Sequence, residues 1–385
     1  MRTIFRITFV SLLLSFLISI TALSQVAITA VPFLDINTDT RSMGLGGATV
    51  AMLGATGGMH LNPATIGKEN TIELYTPINI NGNQPTFSSS WLNGYSSDIY
   101  LQHPGMIISI EEWSVGYQHK YLNLGSQQIG VSPDYQQGPQ TYEYVNTFST
   151  SYRITDQVSV GVGYSFGKSL LLSGVGEERS KATFQTFDLG IYAEHTYSGN
   201  KFLFTPSVGW SLNDYGEPIG YGVGRKDPLP MMMRGGIGLR ADTKERHWNR
   251  TVFSIGGYAS LSKTMARVEE KQTPSGVTYK PMEPLDALFK SWGKYTRFNG
   301  ERNVELSLLE QLQAQVGLEI IYLEMLSVRF GHYYEDPQNG DRSFNTLGIG
   351  FKHQYLSFDY FIIIDKDRSS LFNTQFFQIK VNVPL

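Results

Sequence analysis

Cysteine is absent from the 385 residues, which removes disulfides, thiolate chemistry, Cys-ligated zinc and a lipid-bearing cysteine from consideration. Charge is scarce as well: Asp, Glu, Lys and Arg make up 17% of the chain and leave a net formal charge of -3. That balance offers no electrostatic footprint for nucleic acid. Long apolar runs are missing apart from Ile7 to Ala22, which follows Arg2 and Arg6 and is interrupted by Thr8, Ser11, Ser15, Ser19 and Thr21. A membrane anchor needs about 18 or more apolar residues. With the small-residue boundary Ala22-Leu23-Ser24, residues 1–24 read instead as a secretory signal peptide, cleaved near Ser24. Beyond it no run could form a spanning helix, so a bilayer could be crossed only by a closed barrel in which every backbone group is paired.

Motifs for nucleotide, metal and nucleophile chemistry are also missing. Gly44 and Gly46 begin a G-x-G-x-x-G pattern, but Thr49 stands where the third glycine belongs. Gly167-Lys168-Ser169 resembles the end of a Walker A loop, yet Val162 occupies the place of its first glycine. The seven histidines, His60, His103, His119, His195, His247, His332 and His353, form no H-E-x-x-H or other metal spacing. No G-x-S-x-G elbow occurs. Ser, His and Asn drawn from neighbouring strands, as in an outer-membrane lipase, would leave no such signature. The expectation is a protein without catalytic residues, metal or cofactor.

What is present is aromatic surplus and period-two patterning. Aromatic residues reach 13%, with 22 Tyr and 22 Phe. In Val158 to Gly167 every even position is apolar or aromatic and every odd position is Gly or Ser, the signature of a strand with one apolar face. Val158, Val160, Val162 and Tyr164 are therefore expected to face lipid, and Gly161, Gly163 and Ser165 the lumen. Gln311 to Tyr322, Phe344 to Tyr355 and Phe377 to Val383 alternate in the same way. A soluble β-sandwich also alternates, but these strands run to about ten to twelve residues, the length a tilted membrane strand requires. Tight connections near Thr155-Asp156, Ser198-Gly199-Asn200, Leu323-Glu324 and Tyr355-Leu356 alternate with long ones at Leu124 to Gln140, Lys168 to Lys181, Asn213 to Pro230 and Ser262 to Arg302. Short periplasmic turns and long outer loops are the habit of outer-membrane barrels.

The pattern predicts an all-β fold: a transmembrane antiparallel barrel of about fourteen strands over 71–385, even in number because both termini are periplasmic. Thr86 to Leu92 is assigned to the first outer loop to keep that count. Ala241 to Arg250 is long for a periplasmic turn. Within the longest loop Pro284 to Trp292 reads as two turns of amphipathic helix or as a solvated loop segment; its Leu285, Leu288, Phe289 and Trp292 are candidate partner-binding residues. Met231-Met232-Met233, where a loop enters a strand, is assigned to lipid contact, with an apolar binding surface as the alternative.

The stretch Gly44 to Gly67 is glycine-rich and nearly uncharged, and Asn62-Pro63 would break a helix within it. A coil of that composition, just ahead of the first strand, suits a plug packed against strands inside a barrel. Residues 25–70 are assigned to this plug, with Gln25 to Gly67 inside the lumen. Ala30 to Ala51, followed by His60 to Gly67, resembles the amino-terminal signature of the PorV/PorQ family of Bacteroidetes-type outer-membrane proteins, relatives of the FadL fatty-acid transporters. The residues that carry the likeness are Val31-Pro32-Phe33-Leu34, Asp39, Arg41, Gly44, Gly46, Gly47 and the turn Asn62-Pro63-Ala64. The PorV branch is the better match, although the chain ends Val383-Pro384-Leu385 and not on the usual aromatic residue.

The resemblance implies a FadL-like fourteen-stranded barrel with a plugged lumen in a Gram-negative-type outer membrane. It implies one of two roles. A PorV-type protein binds the C-terminal signal domain of a secreted cargo in type IX secretion and passes it to secretion-machinery proteins at the surface. A FadL-like protein carries long-chain fatty acids or other hydrophobic small molecules through the lumen. The Gly, Ser, Gln, Thr and Asn of the lumen faces predict a polar interior, which favours the shuttle.

Overall fold

The computed structural model describes residues 29–54, 57–67, 70–81, 84–85, 99–129, 136–172, 179–222, 226–273, 276–298, 303–364 and 374–385. The expected signal peptide and the segment 86–92 lie outside them.

Fourteen strands run antiparallel to their chain neighbours. They are β1 (Thr71–Asn81), β2 in two parts (Ile99–Gln102 and Gly105–Ile110), β3 (Trp113–Ile129), β4 (Gln136–Thr155), β5 (Val158–Leu172), β6 (Arg179–Glu194) and β7 (Phe202–Tyr215). The second half holds β8 (Met232–Thr243), β9 (Phe253–Thr264), β10 (Leu312–Tyr322), β11 (Leu326–Glu335), β12 (Ser343–His353), β13 (Leu356–Ile364) and β14 (Thr374–Pro384). The sheet closes because β1 pairs with β14 along its whole length, from Thr71 opposite Pro384 to Asn81 opposite Thr374. A closed sheet leaves no edge, which is what the hydrocarbon of a bilayer demands.

Alternation fixes which face is which. On β5, Gly161, Gly163 and Ser165 are buried inside while Val162 and Phe166 are exposed outside. Across the next pair, Val162 stands opposite Leu189 and Gly161 opposite Gly190. The outer face carries Leu189, Ile191, Val208, Ile237, Leu239, Val316 and Phe330, all exposed. So wide an apolar surface on a folded chain marks contact with something other than water, and around a closed barrel that is lipid. Two ends can be told apart: a turn end, with connections such as Tyr322–Leu326 and His353–Leu356, and a loop end with the long excursions.

Three expectations change in detail. β3 to β6 reach 15 to 20 residues, so much of the segments assigned to loops at Leu124 to Gln140 and Lys168 to Lys181 continues the strands. Polar residues such as Gln128 opposite Gln137 continue the ladder there, which hid it from a search for apolar alternation. The long turn between β8 and β9 folds on itself, with Arg246–His247 paired to Arg250–Thr251. The loop from 262 to 302 is likewise structured, holding a hairpin of Val268–Thr273 with Gly276–Pro281 and a short helix over Pro284–Lys290.

Candidate functional site

Residues 29–54 and 57–67 pack against the inner face of the barrel, and two anchor points hold them. The first is a short helix, α1 (Thr40–Gly44). Asp39 caps it by accepting from the Ser42 amide at 2.5 Å, the usual role of an aspartate at that position. Arg41 then reaches Glu319 of β10 through Nη2 at 2.7 Å and Nε at 2.9 Å. Glu319 also accepts from Arg329 of β11 at 2.7 Å, and Arg329 donates to Asp359 of β13 at 2.6 Å. Buried charge is tolerated only when paired in this way. Thr40 adds a hydroxyl bond of 2.7 Å to Gln378 of β14.

Glycine brings the backbone of the segment onto the strands. Gly46 has φ +66°, and a Cβ there would lie 2.7 Å from the His332 amide nitrogen. Thr346 of β12 fastens the same turn, accepting from the Gly46 amide and donating to the Gly44 carbonyl, each at 3.2 Å. Gly47, φ +86°, continues the left-handed turn; only glycine adopts it without strain.

The second anchor is Asn62-Pro63-Ala64. The Asn62 side chain accepts from the Ala64 amide at 3.1 Å and donates to the carbonyls of Val50 at 2.9 Å and Ile191 of β6 at 3.1 Å. Pro63 and Ala64 rest on Gly161 and Gly190, where any side chain would overlap them. Ser211 of β7 donates to the Leu61 carbonyl at 2.5 Å. The residues singled out by the amino-terminal pattern thus fall at two separate walls of the lumen, β10–β14 for the first group and β5–β7 for the second.

Toward the loop end the segment borders a cavity of about 680 Å³. Val31, Phe33 and Met43 of the segment line it together with Leu122 of β3, Leu171 of β5 and Met232 of β8. Part of its lining is aromatic: Tyr333 and Phe344 stack at 5.0 Å and 3°, Phe361 and Phe376 at 5.4 Å and 5°. The polar rim is paired within itself. Arg234 meets Asp35 at 2.6 Å and Asn213 at 2.7 Å, Arg342 meets Glu335 at 2.6 Å, and Glu143 accepts from Ser169 at 2.6 Å. Toward the turn end lie smaller spaces of about 300 and 210 Å³, lined by Glu73, Arg240, Glu324, Lys352 and Lys380 among others.

The expectation of a uniformly polar lumen is therefore corrected. It holds on β5 and β10, where Ser165, Gln313 and Gln315 point inward, and fails on β12 to β14. Phe361 and Ile363 point in while Tyr360 and Ile364 flank them on the outside. With both faces apolar, such a strand shows no alternation to read. The methionines are corrected in part: Met231 and Met232 are buried and Met232 lines the cavity, so these two do not face lipid, while Met233 is half-buried on the outward parity of β8.

The loop helix, α2 in barrel order (Pro284–Lys290), divides the four candidate partner residues. Leu285, Phe289 and Trp292 are exposed, whereas Leu288 turns inward against Met231, Met265 and Leu212. His60 is buried near Lys120, Arg234 and His103, and burial holds its imidazole well below the ordinary histidine range. Among the described residues no group of three metal-ligating side chains comes together.

No protein-family model and no curated protein sequence matches the chain. Among solved structures, the toluene transporter TbuX of Ralstonia pickettii is similar at 14% identity and TM-score 0.42, over 91% of this chain and 99% of that one. The Pseudomonas putida toluene transporter TodX is similar at 12% identity and TM-score 0.41, over 89% and 95%. A Pseudomonas aeruginosa FadL homologue is similar at 13% identity and TM-score 0.39, over 93% of this chain and all of that one (100%).

Proposed function

We propose that the protein admits small hydrophobic molecules into an outer-membrane barrel and carries them inward, as a FadL-like transporter would. The observation behind this reading is the cavity of about 680 Å³ with its stacked aromatic pairs and aliphatic lining residues. Ligand sites are concave, of this size, and mostly apolar with a few placed polar groups. β2 supplies a further feature. It is interrupted at His103-Pro104, opposite Pro77 of β1, where neither proline can donate a ladder bond. Leu101, just before the break, packs with Phe361 and Phe376 of the cavity wall, so an apolar molecule there would sit beside this break in the ladder.

The test is to purify the protein from its native membrane, extract the bound small molecules and identify them by mass spectrometry. Hydrophobic molecules recovered from the wild type and lost from Leu122→Trp support transport. Recovery of none above a control barrel overturns it.

The PorV-type shuttle is a second reading, favoured by one observation: Leu285, Phe289 and Trp292 stand exposed together at the loop end. Aromatic anchors of that kind are common at protein interfaces. Co-purification of a secreted protein's C-terminal domain, lost when Phe289 and Trp292 are changed to Ser, would move the assignment to it.

A further inference from the structure

The apolar outer face of the barrel is covered at one place. On the outward parity of β7 to β10, Trp210, Gly235, Leu261 and Ala314 form one cross-strand row, in which Trp210 and Leu261 are exposed. The next row toward the loop end is Leu212, Met233, Lys263 and Leu312. There Leu212 is only 5% exposed and Lys263 only 2%. The cover comes from the loop after β9: Ala287 and Leu288 of α2, with Met265 and Met282, share one apolar cluster with Leu212 and Met233. Trp292 adds its ring, with the Lys263 Nζ 5.8 Å from the centroid. A lysine bare to lipid would be costly, whereas one beneath an indole gains a cation–π contact.

Hydrogen bonds hold this cover in place. Ser291 donates to the Met265 carbonyl at 2.6 Å, and Arg267 donates to the Ser291 carbonyl at 3.3 Å and to the Gln311 side chain. Gln311 in turn donates to the Gly293 carbonyl at 3.0 Å. α2 therefore lies against the outside of the wall and presents three sides. Ala287, Leu288 and Ser291 meet the barrel. Asp286 and Lys290 pair with each other at 2.9 Å and are exposed. Leu285, Phe289 and Trp292, spaced i, i+4 and i+7 and so on one side of the turn, are exposed and apolar. That last side joins the outer face of the barrel, because Trp292 covers Lys263 and Leu261 follows on the same side of β9.

We propose that α2 and Trp292 form a membrane-interface helix, with Leu285, Phe289 and Trp292 entering the lipid leaflet at the loop end while Asp286 and Lys290 stay in water. Helices with one apolar and one charged side lie at the boundary of headgroups and acyl chains, and tryptophan is enriched at that depth. The occupant is lipid because the bare side continues a surface that already meets lipid at Trp210 and Leu261.

The chain has no cysteine, so one introduced cysteine carries a unique label. Phe289→Cys, Lys290→Cys and Val162→Cys, all at exposed positions, are labelled with the same fluorophore, and each full-length protein is placed in phosphatidylcholine nanodiscs. Quenching by a phospholipid with a nitroxide on its acyl chain is compared with quenching by iodide in the water. Lipid quenching should exceed iodide quenching several-fold at Phe289→Cys, as at the barrel position Val162→Cys, and the order should reverse at Lys290→Cys. Iodide dominant at both loop positions, with Val162→Cys still quenched from lipid, overturns the proposal and leaves this side of α2 in water for a protein partner. Equal lipid quenching at Phe289→Cys and Lys290→Cys overturns the assignment of sides. Iodide dominant at Val162→Cys overturns the lipid-facing wall, and this inference with it.

Discussion

At the turn end of the lumen Arg41, Glu319, Arg329 and Asp359 hold one another at 2.6 to 2.9 Å. At the loop end Phe361 lies flat on Phe376 and Phe344 on Tyr333. One barrel thus presents two interiors, and the N-terminal segment lies between them. Charge pairs are directional and tie a named residue of the segment to a named strand. Apolar walls are not directional, and leave a space that ligands of different shape can share. The turn end is held by one shared ion-pair network, whereas the loop end combines separate pairs, Arg234 with Asp35 and Arg342 with Glu335, with stacked rings.

The largest effect should come from the turn end. Glu319→Gln leaves Arg41 and Arg329 without the carboxylate both of them use, and should cost about 3–5 kcal/mol, the usual loss when one member of a buried ion pair is removed. Thermal unfolding in detergent measures this; a midpoint equal to that of the wild type would mean the network carries no weight. Outside the barrel, Val162→Arg should cost about 2–4 kcal/mol if the site lies at the bilayer midplane. Folding into vesicles of defined thickness checks that value. Equal tolerance of charge at Val162 and at buried Ser165 would contradict the assignment of faces.

At the second anchor, Gly190→Leu drives a side chain into Asn62 and Pro63 and should cost about 1–3 kcal/mol by overpacking. Its more telling readout is accessibility. Protease added from the turn end should cut within 29–67 in the variant and spare the wild type, with a matching rise in single-channel conductance.

A smaller effect follows from His60. Its folded-state value is depressed by burial, so the unfolded chain takes up a proton at higher pH than the folded one does. The segment is fully stable above the ordinary histidine range near about 6.5 and loses stability as pH falls below it, by up to about 1.4 kcal/mol per unit. Protease cutting in 29–67 should increase from pH 7.5 to pH 5 in the wild type and stay flat in His60→Phe. The smallest effect on stability belongs to Leu122→Trp, which fills existing space and should shift unfolding by less than about 1.5 kcal/mol while abolishing ligand retention. That pairing would separate the two halves of the lumen: a change at the turn end should read out in stability, a change at the loop end in ligand retention.

Much of this was legible before any coordinates. The parity of Val158 to Gly167 assigns inside and outside on β5 because side chains alternate strictly along a strand. The positions of Gly46, Gly47 and Asn62-Pro63-Ala64 mark turns, since each residue has a backbone reason to be there. The cavity was not legible. Its wall draws on Val31, Leu122, Met232, Phe344, Phe361 and Phe376, which come from the N-terminal segment and five different strands, each giving one or two apolar residues near its loop end. Leu288 went astray for a related reason: helical spacing grouped it with Leu285 and Phe289, but the methionines beneath claimed it.

By itself the sequence determined that the chain folds as long, alternating strands, fourteen in number, with a glycine-rich segment ahead of them. Those are local properties, set by side-chain parity, turn chemistry and connection length within a dozen residues. Which wall each anchor of the segment meets, that Arg41 shares Glu319 with Arg329, and that one end of the lumen is apolar were decided only by closure. Once β1 pairs with β14, the register of every strand is locked around the ring, and residues with no relation in sequence are brought to one surface.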